Sequence, residues 1–177
     1  MKGLQFLHKK LQIVHRDLKL DNILMQIPLP KTKIYICDFG IAKQLEKSRT
    51  NTCVGTVEYS APEVFRANEK GQSDSPYNFK CDTWSLGIIT HIVLSGISPF
   101  YSDRKEVILK NARDGRLDFQ RKQFSKISTY AKDFVAALLN IDVGCRLDID
   151  ECFEHCWIKS NRAKLEKFYR EKIENIL

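Results

Sequence analysis

The chain has 177 residues, 43% of them hydrophobic, and a formal net charge of +7, which suits one globular unit with a buried core. Lysine and arginine are mixed with acidic residues along most of the sequence, so the charge reads as a solvated basic surface and no direct nucleic-acid partner is expected. The longest apolar stretch, Trp84 to Leu94, is interrupted by Ser85, Thr90 and His91 and is too short to cross a bilayer, which argues against a membrane partner. Six cysteines without a CxxC pair argue against a disulfide framework and for a reducing compartment, nucleus or cytoplasm.

In chain order, Leu4, Phe6, Leu7 and Leu11 fall at helical spacing and predict the last turns of a helix whose start lies upstream, with Lys9 and Lys10 at its exposed end. Ile23-Leu24-Met25 and Ile34-Tyr35-Ile36-Cys37 are β-prone runs around a loop with Pro28 and Pro30, and predict a hairpin that ends directly before Asp38. From Gly40 to Pro62 the sequence is rich in Ser, Thr and charge and predicts a loop; residues 66 to 79, with Gly71, Ser73, Ser75 and Pro76, predict a second. Helical patterns follow over Asp82–Leu94, Arg104–Asp114 and Ser128–Leu139, the last with Tyr130, Phe134 and Leu138 on one face. Asp148 and Glu151 have the spacing of a capping box that opens a helix through His155. Residues 159–177 read as a basic amphipathic helix, its apolar stripe of Leu165, Phe168, Tyr169, Ile173, Ile176 and Leu177 packed on the chain's own surface. Cys145, Cys152, His155 and Cys156 lack the paired spacing of a zinc site and read as buried helical residues.

The chemistry concentrates in His15-Arg16-Asp17-Leu18-Lys19-Leu20-Asp21-Asn22, followed sixteen residues after Asn22 by Asp38-Phe39-Gly40. Phosphoryl transfer to an aliphatic hydroxyl needs the hydroxyl held in line and an acceptor for its proton, a role that suits Asp17. Lys19 can neutralise charge on the transferred group, while the Asn22 amide oxygen and the Asp38 carboxylate can hold Mg²⁺ against the phosphates of ATP. Gly40 would let the backbone turn sharply after the metal ligand. His15 is expected to pack and hydrogen-bond beneath this segment.

With these motifs, the chain resembles the eukaryotic protein kinases up to about residue 158. Gly55-Thr56-x-x-Tyr59-Ser60-Ala61-Pro62-Glu63 matches the close of a kinase activation loop, and Asp82-Thr83-Trp84-Ser85-Leu86-Gly87 the helix that anchors the catalytic loop from below. The resemblance implies a structural ion pair between Arg146 and Glu63, and Leu24 as part of the adenine site. Lys19 after Asp17 and Thr56 after Gly55 are the serine/threonine-kinase choices. Gly96-Ile97-Ser98-Pro99-Phe100 resembles the calmodulin-dependent and checkpoint-kinase-2-like group, and several short runs, Asp38 to Lys43 and Lys80 to Tyr101 among them, resemble its fungal meiosis-specific branch. Leu20 and Cys156 stand where prolines are frequent in the family.

The resemblance implies a mainly α fold with short β-hairpins, an α+β arrangement like the C-terminal catalytic lobe of a kinase, over residues 1–158 and truncated at its N-terminus. It implies ATP and Mg²⁺ as cofactors, Ser/Thr acceptors in protein substrates, and checkpoint or meiotic signalling with the nucleus favoured. Arg16 beside Asp17 implies a switch by activation-loop phosphorylation, by an upstream kinase or by autophosphorylation, with Thr52 the first candidate and Thr50 and Ser48 behind it. No Gly-rich phosphate loop with its partner lysine occurs in the sequence, so the stand-alone chain is expected to be inactive. Two other readings stay open: a non-catalytic interaction module and, on net charge alone, a basic nucleic-acid binder.

Overall fold

The computed structural model describes residues 1–28, 32–44, 56–69 and 78–172. A short helix α1 (Lys2–Gln5) continues as a π-helical turn, Phe6–Lys10, and leads into β1 (Ile13–Val14). A 3-10 turn, Leu20–Asn22, precedes β2 (Ile23–Met25), β3 (Ile34–Ile36) and β4 (Lys43–Gln44). A second 3-10 turn, Val57–Tyr59, precedes α2 (Pro62–Glu69). The remaining elements are α3 (Phe79–Ser95), α4 (Lys105–Asp114), α5 (Thr129–Leu138), α6 (Ile149–Glu154), α7 (Cys156–Lys159) and α8 (Arg162–Lys172). The described residues are therefore mainly helical, with two antiparallel two-stranded ribbons, β1 against β4 and β2 against β3.

The long helix α3 is the centre of the molecule. Asn78 caps it by accepting from the Lys80 amide at 2.7 Å, and Gly96 ends it at φ 76°, a conformation that favours glycine. Its middle is largely buried: Trp84 stacks on Phe100, Ile88 lies in the same cluster, and Ser85, Asp82 and His91 are buried as well, while Leu86 and Thr90 are half-buried. Gly87 lets α5 approach, because a Cβ there would lie 2.7 Å from Leu139 Cδ2 and 2.9 Å from Leu138 Cβ. On the far side, α6 begins with the capping box: Asp148 Oδ1 accepts from the Glu151 amide at 2.9 Å and Glu151 Oε2 accepts from the Asp148 amide at 2.7 Å.

Several expectations need correction. The loop placed over residues 66 to 79 begins later, because α2 runs to Glu69; Pro62 presets the first helical φ and Glu63 suits the first turn, and both outweigh the turn residues that start only at Gly71. Phe79, given to the same loop, opens α3. Between Gly40 and Pro62 the chain forms β4 and the 57–59 turn; short elements of this kind carry no periodicity to read. Tyr130 is exposed and does not share the buried face of α5, which is Ala131, Phe134, Val135 and Leu138. At the start of the chain Leu4, Leu7 and His8 are buried at i, i+3 and i+4, but Phe6 falls off that face and Leu11, where the π-helical turn ends, is exposed. Cys145 and Cys156 are exposed, and Cys145 lies in a turn; only Cys152 of that group is buried. Lys159 belongs to α7, and in α8 Leu165 is exposed while Phe168 and Tyr169 are half-buried, the Tyr169 ring lying under Lys2 Nζ at 5.5 Å. The rest of the stripe, Ile173, Ile176 and Leu177, lies outside the described residues.

Candidate active site

The site begins with a buried carboxylate. Asp82, on the first turn of α3, accepts from the backbone N–H of His15 at 2.8 Å and of Arg16 at 2.9 Å. The His8 imidazole Nε2 adds a third bond, at 2.8 Å, from the π-helical turn. These charge-assisted bonds fix two successive peptide units of the 15–22 segment from below, and they hold Arg16 at φ 70°. Above them His15 is buried; its Nε2 donates to the Cys37 carbonyl at 3.0 Å, while its Nδ1 accepts weakly from the Asp17 amide at 3.4 Å. His15 thus links the 15–22 segment to the residue that precedes Asp38, and its ring meets Phe39 edge-on at 5.0 Å.

Asp17 is the point of convergence. Its Oδ1 accepts from the Thr56 amide at 3.0 Å and the Thr56 hydroxyl at 2.9 Å. Its Oδ2 meets Lys19 Nζ at 2.9 Å and, at 3.3 Å, the Asn22 amide. Lys19 Nζ also donates to Thr56 Oγ1 at 3.0 Å, which closes a three-residue ring. Burial pushes the Asp17 carboxyl up, but the bonds from Lys19 and Thr56 outweigh it and hold the group below its ordinary value. The same contact with Asp17 raises Lys19. Asp17 is therefore held as a carboxylate and Lys19 as an ammonium.

Asn22 is buried in the 3-10 turn, and its Nδ2 donates to the Asp17 carbonyl at 2.8 Å. With that nitrogen committed, the amide oxygen is the group left to serve as a ligand. Asp38, at the end of β3, is exposed and adopts φ 61°. The left-handed residue of this turn is therefore Asp38, and Gly40, expected to permit a sharp turn, is not in that region. Gly40 serves instead by close approach: its amide donates to Asp38 Oδ1 at 3.2 Å, where an added Cβ would crowd the same oxygen. One neutral and one anionic oxygen donor form a set suited to Mg²⁺, which keeps its remaining sites for phosphate oxygens and water. No group of three or more His, Cys, Asp or Glu that could cage a metal occurs among the described residues.

The surrounding residues hold Thr56 in place. Ser60 Oγ donates to the Thr56 carbonyl at 3.0 Å, and Ser85 Oγ of α3 donates to the Tyr59 carbonyl at 2.8 Å. Glu63, one turn on, receives both terminal nitrogens of the buried Arg146, at 2.6 and 2.9 Å. Arg16 Nε donates to the Ile41 carbonyl at 2.6 Å, beside β4. Leu24 is exposed on β2, paired with Tyr35. The structure thus brings Asp17, Lys19, Asn22, Thr56 and Asp82 into one network and sets Glu63 and Arg146 together on its flank. Thr50, Thr52 and Ser48 lie outside the described residues, as does Gly55.

Sequence reasoning missed His8 and the β1–β4 ribbon. His8 could have been found: it follows Leu4 by one helical turn and so shares the buried stripe.

A model of the protein kinase domain matches residues 1–158. The chain is 50% identical over 186 aligned residues to the meiosis-specific serine/threonine-protein kinase MEK1 of Saccharomyces cerevisiae, covering 98% of this chain and 37% of that protein. Its likeness to the meiosis-specific serine/threonine-protein kinase mek1 of Schizosaccharomyces pombe is 35% over 179 residues, covering 98% and 38%. With smooth muscle myosin light chain kinase of Gallus gallus it shares 36% over 165 residues, covering 93% of this chain and 8% of that one. The chain thus spans less than two-fifths of the length of these three relatives. A domain match over most of its residues, together with serine/threonine-kinase relatives aligned along nearly all of it, places this chain in the protein kinase family.

Proposed function

We propose that this chain is the catalytic lobe of a serine/threonine kinase that passes the γ-phosphoryl group of ATP to protein substrates. The observation that carries the reading is the closed ring of Asp17, Lys19 and Thr56. Four donors already occupy the Asp17 carboxylate, about as many as its lone pairs accept. The longest, from Asn22 at 3.3 Å, is the one a substrate hydroxyl would replace, because Asn22 keeps its 2.8 Å bond to the Asp17 carbonyl. The incoming hydroxyl would then lie between Asp17, which accepts its proton late in the transfer, and Lys19, which meets charge on the moving group. A carboxyl held below its ordinary value is a weak base, so Asp17 acts more by aiming the hydroxyl than by deprotonating it early. Asn22 and Asp38 would hold Mg²⁺, which when bound neutralises the phosphate oxygens; Leu24 would lie against the adenine.

The same reading takes residues 1–158 as this lobe and 159–177 as a basic helical appendage. It assigns the chain to meiotic or checkpoint signalling in the nucleus, on the resemblance to meiosis-specific kinases, and gives Thr52, with Thr50 and Ser48 behind it, as the phosphorylation switch read by Arg16. Without a lobe to position the ATP phosphates the isolated chain is inactive. The test compares Mg²⁺-dependent phosphate transfer to a Ser/Thr peptide by the chain alone and by a fusion to the ATP-presenting segment of the Saccharomyces relative. Transfer is expected only from the fusion and is lost in Asp17→Ala. A fusion whose transfer survives Asp17→Ala would sink the proposal.

A further inference from the structure

Two side chains one turn apart on α3 reach to the two sides of Asp17. Asp82 holds the amides of His15 and Arg16, which lead into it. Ser85, three positions on and so on the same face of the helix, is 6% exposed. Its hydroxyl lies 3.2 Å from the Cys81 carbonyl of its own helix and donates at 2.8 Å to the Tyr59 carbonyl. A helical serine can satisfy itself on the carbonyl four residues back. Here that bond is the longer one, and the shorter leaves the helix for the 57–59 turn. From there the bonds run on to Thr56: the Tyr59 amide and the Ser60 hydroxyl both donate to its carbonyl at 3.0 Å. Thr56 in turn gives its amide and its hydroxyl to Asp17 Oδ1. The half-buried Tyr59 ring packs against two core clusters and places this turn, but only a directional bond fixes the planes of its peptides.

We propose that Ser85 is a positioning residue for phosphoryl transfer: by fixing the 56–60 turn to the helix that also holds His15 and Arg16, it sets how Thr56 meets Asp17. The proposal rests on the reading of Asp17 as the group that aims the substrate hydroxyl and takes its proton. The helix acts as a rigid bar, and the rise from Asp82 to Ser85, about 4.5 Å, fixes the two sides of the site against each other. Without the Ser85 hydroxyl the Tyr59 carbonyl loses its anchor and the turn is free to tilt. Both Thr56 bonds to Asp17 then weaken together, and with them go two of the donors that keep the carboxylate charged and aimed. Lys19 loses its second contact in the same movement, because it donates to the Thr56 hydroxyl.

The test follows the Asp17 carboxyl carbon by NMR through an acid titration of the 177-residue chain, with Asp17→Asn to identify the signal, and measures hydrogen exchange at the Thr56 amide. Ser85→Ala is expected to move the Asp17 titration up toward the ordinary carboxylate value. It should also speed exchange at Thr56 by at least about tenfold, the worth of one hydrogen bond, while His15 and Arg16, held by Asp82, keep their protection. Ser85→Thr retains a hydroxyl that can make the same bond and should restore both readouts. A serine that only supports the fold would lower the urea midpoint and leave the Asp17 titration where it is. An unmoved titration in Ser85→Ala, unchanged exchange at Thr56, or a shift that Ser85→Thr does not reverse would overturn the proposal. None of these readouts needs turnover, so such a result leaves the role of Asp17 standing, which phosphate transfer by the fusion and its Asp17→Ala variant tests separately.

Discussion

Replacing Arg146 by Met tests the account of how the segment that carries Thr56 is held. The arginine side chain is fully buried, and every one of its nitrogens is engaged: both terminal nitrogens on Glu63 at 2.6 and 2.9 Å, one of them also on the Lys80 carbonyl at 3.0 Å, and Nε on the Asn140 carbonyl at 2.9 Å. The guanidinium also lies 4.9 Å from the centre of the Trp84 ring. Methionine preserves most of the stem volume, so packing on Trp84 is largely kept and the loss is polar. It strands a carboxylate that is only 18% exposed, together with two carbonyls. Breaking a buried pair from one side costs about 3–5 kcal/mol, a large share of the roughly 5–15 kcal/mol that a domain holds. Urea unfolding followed by circular dichroism should show that loss as a lower midpoint at unchanged slope. Arg146→Met combined with Glu63→Leu removes the stranded charge and should recover at least about 2 kcal/mol of it, because the penalty is the unpaired carboxylate rather than the missing bond. A single-variant cost below about 1 kcal/mol, or a double variant no better than the single, would refute the reasoning.

Three further outcomes follow from the same geometry. Asp82→Asn puts an amide N–H where two backbone donors converge, so hydrogen exchange at His15 and Arg16 should accelerate by at least about tenfold, a change of roughly 1.4 kcal/mol in local opening; unchanged protection would show that Asp82 does not hold this segment. Gly87→Ala forces a methyl against Leu138 and Leu139 and should cost about 1–3 kcal/mol in thermal or urea unfolding, whereas a neutral result would mean that α5 can withdraw freely. Asp17, whose carboxyl is held down on folding, contributes stability that is present above the unfolded value of about 3.9 and is lost as pH falls through the lower folded value. The stability difference between wild type and Asp17→Asn should accordingly be flat from neutral pH to about pH 5 and shrink below about pH 4; a difference that shrinks between pH 7 and 5 would contradict it.

The sequence made some of this legible and hid the rest for physical reasons. The β2–β3 hairpin was readable because its two runs are β-prone and bounded by prolines, and the paired register Ile23 with Ile36 sets Asp38 just beyond it. The capping box of α6 was readable because a cap is local chemistry at fixed spacing. The ribbon of β1 with β4 was not, because two-residue strands have no period and their pairing is a tertiary fact. At the site, the identities of Asp17, Lys19, Asn22 and Asp38 stood in the motif, but their connections did not. No local pattern says that Thr56, thirty-nine positions from Asp17, donates to it twice, or that one carboxylate on α3 receives His8, His15 and Arg16 together.

Those connections also explain two backbone conformations that sequence pattern could not foresee. Arg16 at φ 70° and Asp38 at φ 61° are both non-glycine residues in the left-handed region, each at a cost of order 1 kcal/mol or more. Each is held by bonds that the ordinary conformation would forgo: Arg16 by its amide on Asp82 and its Nε on Ile41, Asp38 by the Gly40 amide on its own carboxylate. His15 joins the two turns through the Cys37 carbonyl, so neither can relax alone. Glycine at either position would relieve the strain and also remove the side chain that the turn exists to place. The strain therefore belongs to the positioning of Asp17 and Asp38, and at the first of the two turns the buried Asp82 is what keeps it in place.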